Sequence, residues 1–316
     1  MPNGWRGSTS DHTSGSGNNG HDFECSVLPV KLTSPSSARS ILSQLGVHPS
    51  KKLGQNFLID RNIAEIIIAA ADLTGRDRAL EIGPGLGVLT ERLAASAESV
   101  TAIEIDAKLC AYLQERFREQ PSVNLICGDI LRLDPGGRFD LAQMKVVSNL
   151  PYSSGSRILM EFAMMMNRPA CVVVTVQQEV ADRMVAAEGS GDYGLLTIWL
   201  QTAYDVRAVK SVSPTCFWPV PVVQSCVVKM VRRPDALSGP EKKVFSRITK
   251  RCFSHRRKQV YRMLAAGSGL DNATVVELLG NMGLSPKARP SDISVEQWIT
   301  LAQEIAGVAE LAVRRT

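Results

Sequence analysis

The chain has 316 residues, enough for one large domain and a small one, and its 44% apolar content supports a sizeable core. Its 36 Lys and Arg outnumber its 31 Asp and Glu, for a net charge of +5, and no apolar run approaches the ~18 residues that a membrane span needs. The seven cysteines show no C-x-x-C spacing and the four histidines form no cluster, a pattern that excludes a structural metal and reads as reduced thiols in a cytoplasmic protein.

Residues 1–35 are rich in Gly, Ser, Asn and Asp, lack an apolar signal core, and read as a disordered leader. Ser37 to Leu45 has helical spacing, with Ile41, Leu42 and Leu45 on one side. His48 to Leu58 reads as a loop in which Lys51 and Lys52, beside Gly54-Gln55-Asn56, either touch phosphates or are plain surface. Asp60 then caps a helix carrying Ile63, Ile66, Ile67 and Ala70.

From Ala79 onward strands and helices alternate. The pattern predicts strands at Ala79–Ile82, Ser99–Glu104, Val123–Cys127, Lys145–Ser148 and Ala170–Val176, with helices at Val88–Ala95, Ala107–Glu119, Ser156–Met166 and Gln177–Ala187. That is the text of a doubly wound parallel α/β sheet, whose ligands sit outside the carboxyl ends of the strands. The first strand runs into Gly83-Pro84-Gly85-Leu86-Gly87, where missing side chains let backbone N–H groups close on a ligand. Glu104 ends the next strand at about the 20-residue offset from which an acid reaches ribose hydroxyls. A dinucleotide fingerprint needs its third glycine where Val88 stands, which disfavours a nicotinamide dehydrogenase. Asp129 follows the third strand, where it can accept from an adenine amine or bond its own turn.

Asn149-Leu150-Pro151-Tyr152 follows the fourth strand and is the most informative tetrapeptide. The N6 amine of adenine is a poor nucleophile because its lone pair is delocalised into the ring. Hydrogen bonds accepted from its N–H groups localise that pair; an Asn side-chain oxygen and the next backbone carbonyl supply two acceptors. Proline fixes where that carbonyl points, and a tyrosine one step on can stack on the base. Glu188 to Gly194 is a flexible loop, a substrate lid or merely surface. Asp205–Ser211 and Ser225–Val231 alternate like a closing antiparallel hairpin; between them, Phe217-Trp218-Pro219-Val220-Pro221 offers Phe217 as a second stacking face or as a plug on the sheet.

Arg232 to Gly239 reads as a linker, followed by helices at Glu241–Phe253, Arg256–Ala266, Ala273–Met282 and Ser294–Ala312. Nine Lys or Arg and one acid lie between Glu241 and Arg262, among them Lys250, Arg251, Arg256, Arg257 and Lys258. Such a surface suits a nucleic-acid backbone, or is a solvated helix face.

Taken together, Gly54-Gln55-Asn56-Phe57-Leu58, the Gly83–Gly87 turn, Glu104, Gly128-Asp129, Asn149-Leu150-Pro151-Tyr152, Phe217-x-Pro219-x-Pro221 and Arg256-Arg257-Lys258 form an ordered set. That set resembles the ribosomal RNA adenine dimethyltransferases, in their small-subunit, kasugamycin-sensitivity form. The resemblance implies a class I, Rossmann-like, mostly parallel seven-stranded sheet over residues 36–235 and a small all-helical RNA- or subunit-docking domain over 236–316. It implies an S-adenosylmethionine site built from Asn56, Leu58, Gly83, Gly85, Gly87, Glu104, Asp129 and Asn149, without metal. It further implies transfer to N6 of two adjacent adenosines near the 3′ end of small-subunit rRNA, probed within an immature particle by a monomer, with Asn149 and the Leu150 carbonyl orienting the amine and Tyr152 and Phe217 sandwiching the base. The family's Lys and Asp after Phe-x-Pro-x-Pro are Val222 and Gln224 here, and Ser291 replaces a late acid. The competing readings are a macrolide-resistance methylase of large-subunit rRNA, which shares the core motifs, and an assembly factor whose catalysis is dispensable.

Overall fold

Valine-rich strands with apolar side chains at both odd and even positions must be covered on both faces. In the computed structural model, which describes residues 32–50, 52–133, 137 and 139–314, with side chains to 308, they are. Leu80, Val146, Val172 and Val228 point into one apolar cluster, while Ala79, Val147, Val173 and Val227 point into the other.

The sheet has seven strands: β2 (Arg78–Ile82), β3 (Ser99–Glu104), β4 (Val123–Cys127), β5 (Met144–Asn149), β6 (Cys171–Gln177), β7 (Tyr204–Val212) and β9 (Ser225–Arg232), in the order β4-β3-β2-β5-β6-β9-β7. All neighbours are parallel except β9, which runs antiparallel to both β6 and β7. The chain leaves β2 toward β3 on one side and returns to β5 on the other, so the switch point lies between Gly83 and Asn149. Helices α1 (Pro35–Gln44), α2 (Arg61–Ala71), α3 (Val88–Ser96), α4 (Ala107–Arg116) and α5 (Gly155–Met164) cover the sheet. Asp60 caps α2 by accepting the Ile63 N–H at 2.9 Å.

The structure adds elements that the pattern did not announce. Phe57–Leu58 (β1) pairs antiparallel with Phe217–Trp218 (β8), so the expected loop before Leu58 ends in a small ladder. The segment expected as a helix over Gln177–Ala187 is the shorter α6 (Gln178–Met184), and Leu195–Ala203 forms a helix, α7, that the periodicity hid. Leu196, Thr197, Ile198, Trp199 and Leu200 are all buried, so α7 has no polar stripe to read. Cys110 in α4 and Cys127 at the end of β4 form a disulfide with Cα atoms 5.8 Å apart, correcting the reading of every cysteine as a reduced thiol. The packing of α4 beside β4 joins them, which their separation of 17 residues does not reveal. Cys171, Cys216, Cys226 and Cys252 are free, and Cys25 and the leader to residue 31 lie outside the described residues.

Beyond β9 come α8 (Gly239–Phe253), α9 (Val260–Ser268), α10 (Asn272–Asn281) and α11 (Val295–Arg314). Ser254 to Gln259 is a turn rather than the start of a helix, so Arg256, Arg257 and Lys258 do not extend the basic face of α8. The sheet's apolar cluster continues through Phe245, Ile248, Leu264 and Trp298. Trp199 Nε1 donates to Thr249 Oγ1 at 3.0 Å across that boundary. No helix among the described residues is long and apolar enough to cross a membrane.

Arg168, 1% exposed, fastens the linker to the sheet. It pairs with Asp235 and donates to the carbonyls of Ala203 at 3.2 Å and Arg233 at 2.7 Å. Lys242 adds a 3.0 Å contact, and despite the opposing effect of burial these donors hold the Asp235 carboxyl below its ordinary range. Arg168→Met strips the Arg233 carbonyl of that donor and leaves Asp235 to Lys242 alone, and is expected to cost about 3 kcal/mol, read as a lowered urea midpoint.

Candidate active site

A cleft opens beyond the carboxyl ends of β2, β3 and β5. Asn56, Leu58, Gly83, Gly85, Glu104, Asn149, Leu150 and Pro151 line it, together with Gln55, Phe57, Glu81 and Ile105, which the sequence reading did not single out. Ile105 had one usable signal: a large apolar residue directly after a strand-ending acid, here 47% exposed.

The floor is the turn after β2. Gly85 sits at φ +59°, and a Cβ there would lie 2.8 Å from Phe57 Cδ1, so a side chain would push the β1 wall into the cleft. The Gly85 N–H donates to Glu104 Oε2 at 3.1 Å, and the Asp106 N–H to Glu104 Oε1 at 3.0 Å. Burial raises the Glu104 pKa, those N–H bonds oppose the rise, and the charge of Asp106 adds to it. Glu81, behind the turn, is 1% exposed and accepts the Thr90 hydroxyl at 2.6 Å. Burial pushes its pKa up to about 8, with repulsion from Glu104 in the same direction and the Thr90 bond opposing.

The opposite wall is the corner after β5. Asn149 Nδ2 donates to the Asn56 carbonyl at 2.8 Å. A carbonyl can only accept, so that bond orients the amide and turns Oδ1 the other way. Oδ1 is buried and has no hydrogen-bond partner. The loop supplying Asn56 is held over the corner at several points. Gly54, at φ +65°, accepts the Tyr152 N–H at 3.4 Å, and a Cβ on it would meet Ser153 N at 2.6 Å. Gln55 Oε1 accepts the Ser50 N–H at 2.9 Å, while its Nε2 lies 3.5 Å from Asp106 Oδ2, the carboxylate that caps α4.

Other expected site residues lie elsewhere. Gly87 turns the chain into α3 against Phe117 and Leu113, outside the lining. Asp129 accepts the Leu131 N–H at 3.0 Å and faces Arg132 at 3.6 Å, the turn-bonding alternative, and does not line the cleft. Tyr152 is half-buried beside it, its hydroxyl 2.5 Å from Ser225 Oγ, and burial raises its pKa, which keeps the phenol protonated. Phe217 takes the plug position: pairing of β8 with β1 turns its ring into the core, where it is 0% exposed.

Among the expected RNA-binding cations, Lys51 lies outside the described residues and Lys52, Lys250, Arg251, Arg256, Arg257 and Lys258 are exposed. Lys250 stacks over the Trp199 ring at 4.9 Å and shares an open groove with Arg183 and Arg256. Arg256 also donates to the carbonyls of Gly191 at 3.0 Å and Tyr193 at 2.5 Å. With Gly189 N–H bonded to the Ser291 carbonyl at 2.8 Å, the 188–194 loop is strapped to the C-terminal helices rather than hung as a lid.

The strand order, the glycine turn facing an acid, and the Asn-Leu-Pro-Tyr corner define a Rossmann-like methyltransferase of the class I kind. The family model described as ribosomal RNA adenine dimethylase matches residues 48–307, and the chain belongs to that family. It is 37% identical over 285 residues to a protein of Pelotomaculum thermopropionicum named ribosomal RNA small subunit methyltransferase A, covering 86% of this chain and 97% of that one. A protein of the same name from Syntrophotalea carbinolica is 39% identical over 263 residues, covering 81% and 97%. Among solved structures, a dimethyladenosine transferase from Plasmodium falciparum has the same fold at TM-score 0.66 and 23% identity, covering 78% of this chain and 96% of that one. The 23S rRNA methyltransferase ErmE matches at TM-score 0.60 and 27% identity, covering 79% and 99%.

The buried acid makes a solution test of this geometry. Because folding raises the Glu81 pKa from 4.5 to about 8, the folded state holds the extra proton between those values. Stability therefore falls as pH rises through that window and levels above it. Glu81→Gln is expected to flatten that decline in denaturation midpoints taken from pH 5 to about pH 9.

Proposed function

We propose that this chain transfers methyl groups from S-adenosylmethionine to N6 of two adjacent adenosines near the 3′ end of small-subunit rRNA. The observation that carries the reading is the buried, unpartnered Asn149 Oδ1. An unmade hydrogen bond of that kind costs about 1–3 kcal/mol, a cost with a purpose if a substrate N–H completes it.

The cleft suits the donor on its own geometry. Its glycine floor leaves no room for side chains, the Glu104 carboxylate stands at the strand end for ribose hydroxyls, and exposed Ile105 offers an apolar face for an adenine ring. When bound, S-adenosylmethionine supplies a methyl group activated by a sulfonium leaving group. The chain's own residues then need no strong base or metal. Asn149 Oδ1 and the Leu150 carbonyl accept from the adenosine amine and localise its lone pair, and Pro151 fixes the backbone that aims the carbonyl. Tyr152, clamped at its hydroxyl by Ser225, supplies an aromatic ring beside that corner for the everted base. The Leu131 turn holds Asp129 Oδ1 and leaves Oδ2 to accept from an adenine amine, and Phe217 stacks only if its ring swings out of the core. The exposed Lys52, Lys250, Arg251, Arg257 and Lys258 meet rRNA phosphates, in a cytoplasmic, immature subunit engaged by a monomer.

The ErmE likeness keeps the large-subunit reading in view, whereas relatives at 37 and 39% identity carry the small-subunit name. Labelled methyl transfer to unmethylated small and large subunits, with mapping of the modified nucleotides, decides between them; label on large-subunit RNA alone would overturn the proposal. Asn149→Ala is expected to lower that transfer at least about 10²-fold, as loss of an aligned hydrogen-bonding group does. Its melting midpoint should change little, because the variant removes an unpaired acceptor along with the Asn56 bond.

A further inference from the structure

Between β8 and β9 the chain crosses residues 219–224 as Pro-Val-Pro-Val-Val-Gln. Val220 is 61% exposed, Val223 44% and Val222 102%, as open as in an isolated peptide. Three exposed valines within four residues are an unusual expense of apolar surface. No residue from Phe217 to Gln224 is charged, so the tip is not made to hold phosphate. The two prolines stiffen it.

Both feet of this loop stand on the substrate side of the cleft. At one end, Trp218 pairs with Phe57, a cleft-lining residue, and the Ile59 N–H donates to the Cys216 carbonyl at 2.9 Å. At the other, the Gln224 carbonyl accepts the Gln178 N–H at 2.9 Å, and Ser225 holds the Tyr152 hydroxyl. From Gln178, α6 leads to Glu179 and Arg183 on the groove shared with Lys250 and Arg256, a run of about 7.5 Å at helical rise.

We infer that Val222, supported by Val220, is an apolar wedge that fills the gap left in the RNA stack when the target adenosine is everted, bearing on the base step beside it. The inference rests on the adenine-methylation reading above. A base that leaves a helical stack exposes the faces of its neighbours, and a stiff aliphatic side chain covers them without competing for hydrogen bonds. The neutral tip then lies over bases while the cations beside Lys250 follow the backbone.

The test compares the full chain with the Val220→Ser/Val222→Ser double variant and with Val222→Leu. Single-turnover methyl transfer to saturating unmethylated small subunits gives the rate, and subunit titration gives affinity. A small-subunit 3′-end RNA hairpin with 2-aminopurine at the target position reports eversion as a rise in fluorescence. The serine variant is expected to lose about tenfold in rate, equivalent to about 1.4 kcal/mol of barrier, and most of the fluorescence rise, with affinity held within about twofold. Val222→Leu should keep both signals. Unchanged rate and fluorescence in the serine variant would overturn the wedge. So would loss of affinity with the saturated rate preserved, the result expected if the valines pack on a ribosomal protein instead. If the unsubstituted chain methylates no adenosine, the reading beneath the inference fails separately, and the fluorescence arm still judges the wedge.

Discussion

One side-chain amide sets the terms for the cleft. Asn149 spends its donor on the Asn56 carbonyl and leaves its acceptor bare. For that bond to form, the 50–56 loop must cross the end of β5, which requires Gly54 to lie against the Tyr152–Ser153 backbone. The same loop reaches Asp106 through Gln55, and Asp106 both caps α4 and sends its N–H to Glu104. The ends of β3 and β5 are thereby joined through one hydrogen-bonded circuit. A half-committed amide of this kind is preorganised: its donor is fixed, and its acceptor is free without any bond having to break.

The sequence was most legible where chemistry and backbone geometry coincide. Glycines at alternating positions, an acid one strand later and Asn-Leu-Pro-Tyr after β5 all mark places where the chain itself turns, so their residue types report the fold directly. Legibility ended where tertiary packing overrides local pattern. Helix α7 is buried nearly all round and has no amphipathic period. The pairing of β1 with β8 joins segments far apart in the chain, and only that pairing decides that Phe217 faces the core. Asp129 had two local uses, and the structure selects its own turn. Nothing local marks Arg168, whose guanidinium is held by two distant segments, one at Ala203 and one at Arg233 and Asp235.

The helices after β9 are less separate than their linker suggests. Phe245, Ile248 and Trp298 belong to the same apolar cluster as Leu80 and Val146. Trp199 is the keystone of that contact, with its N–H on Thr249 and its ring beneath Lys250. The position of Lys250 relative to the cleft is therefore set by close packing, not by a tether. A rigid offset thus separates the basic groove from the Asn149 corner. The strapped 188–194 loop serves the same end, since Arg256 and Ser291 hold it across the junction.

The acids behind the cleft divide the remaining work. Two backbone N–H groups face the Glu104 carboxyl and oppose the rise that burial imposes on its pKa, whereas Glu81 has one hydroxyl and a neighbouring carboxyl, and burial pushes its pKa up to about 8. Two full negative charges so close would repel; one charge and one neutral acid do not. A cationic ligand entering above the glycine turn reverses that balance, because its charge favours ionised Glu81 and compensates the repulsion from Glu104. The walls thus respond to the sign of what they hold.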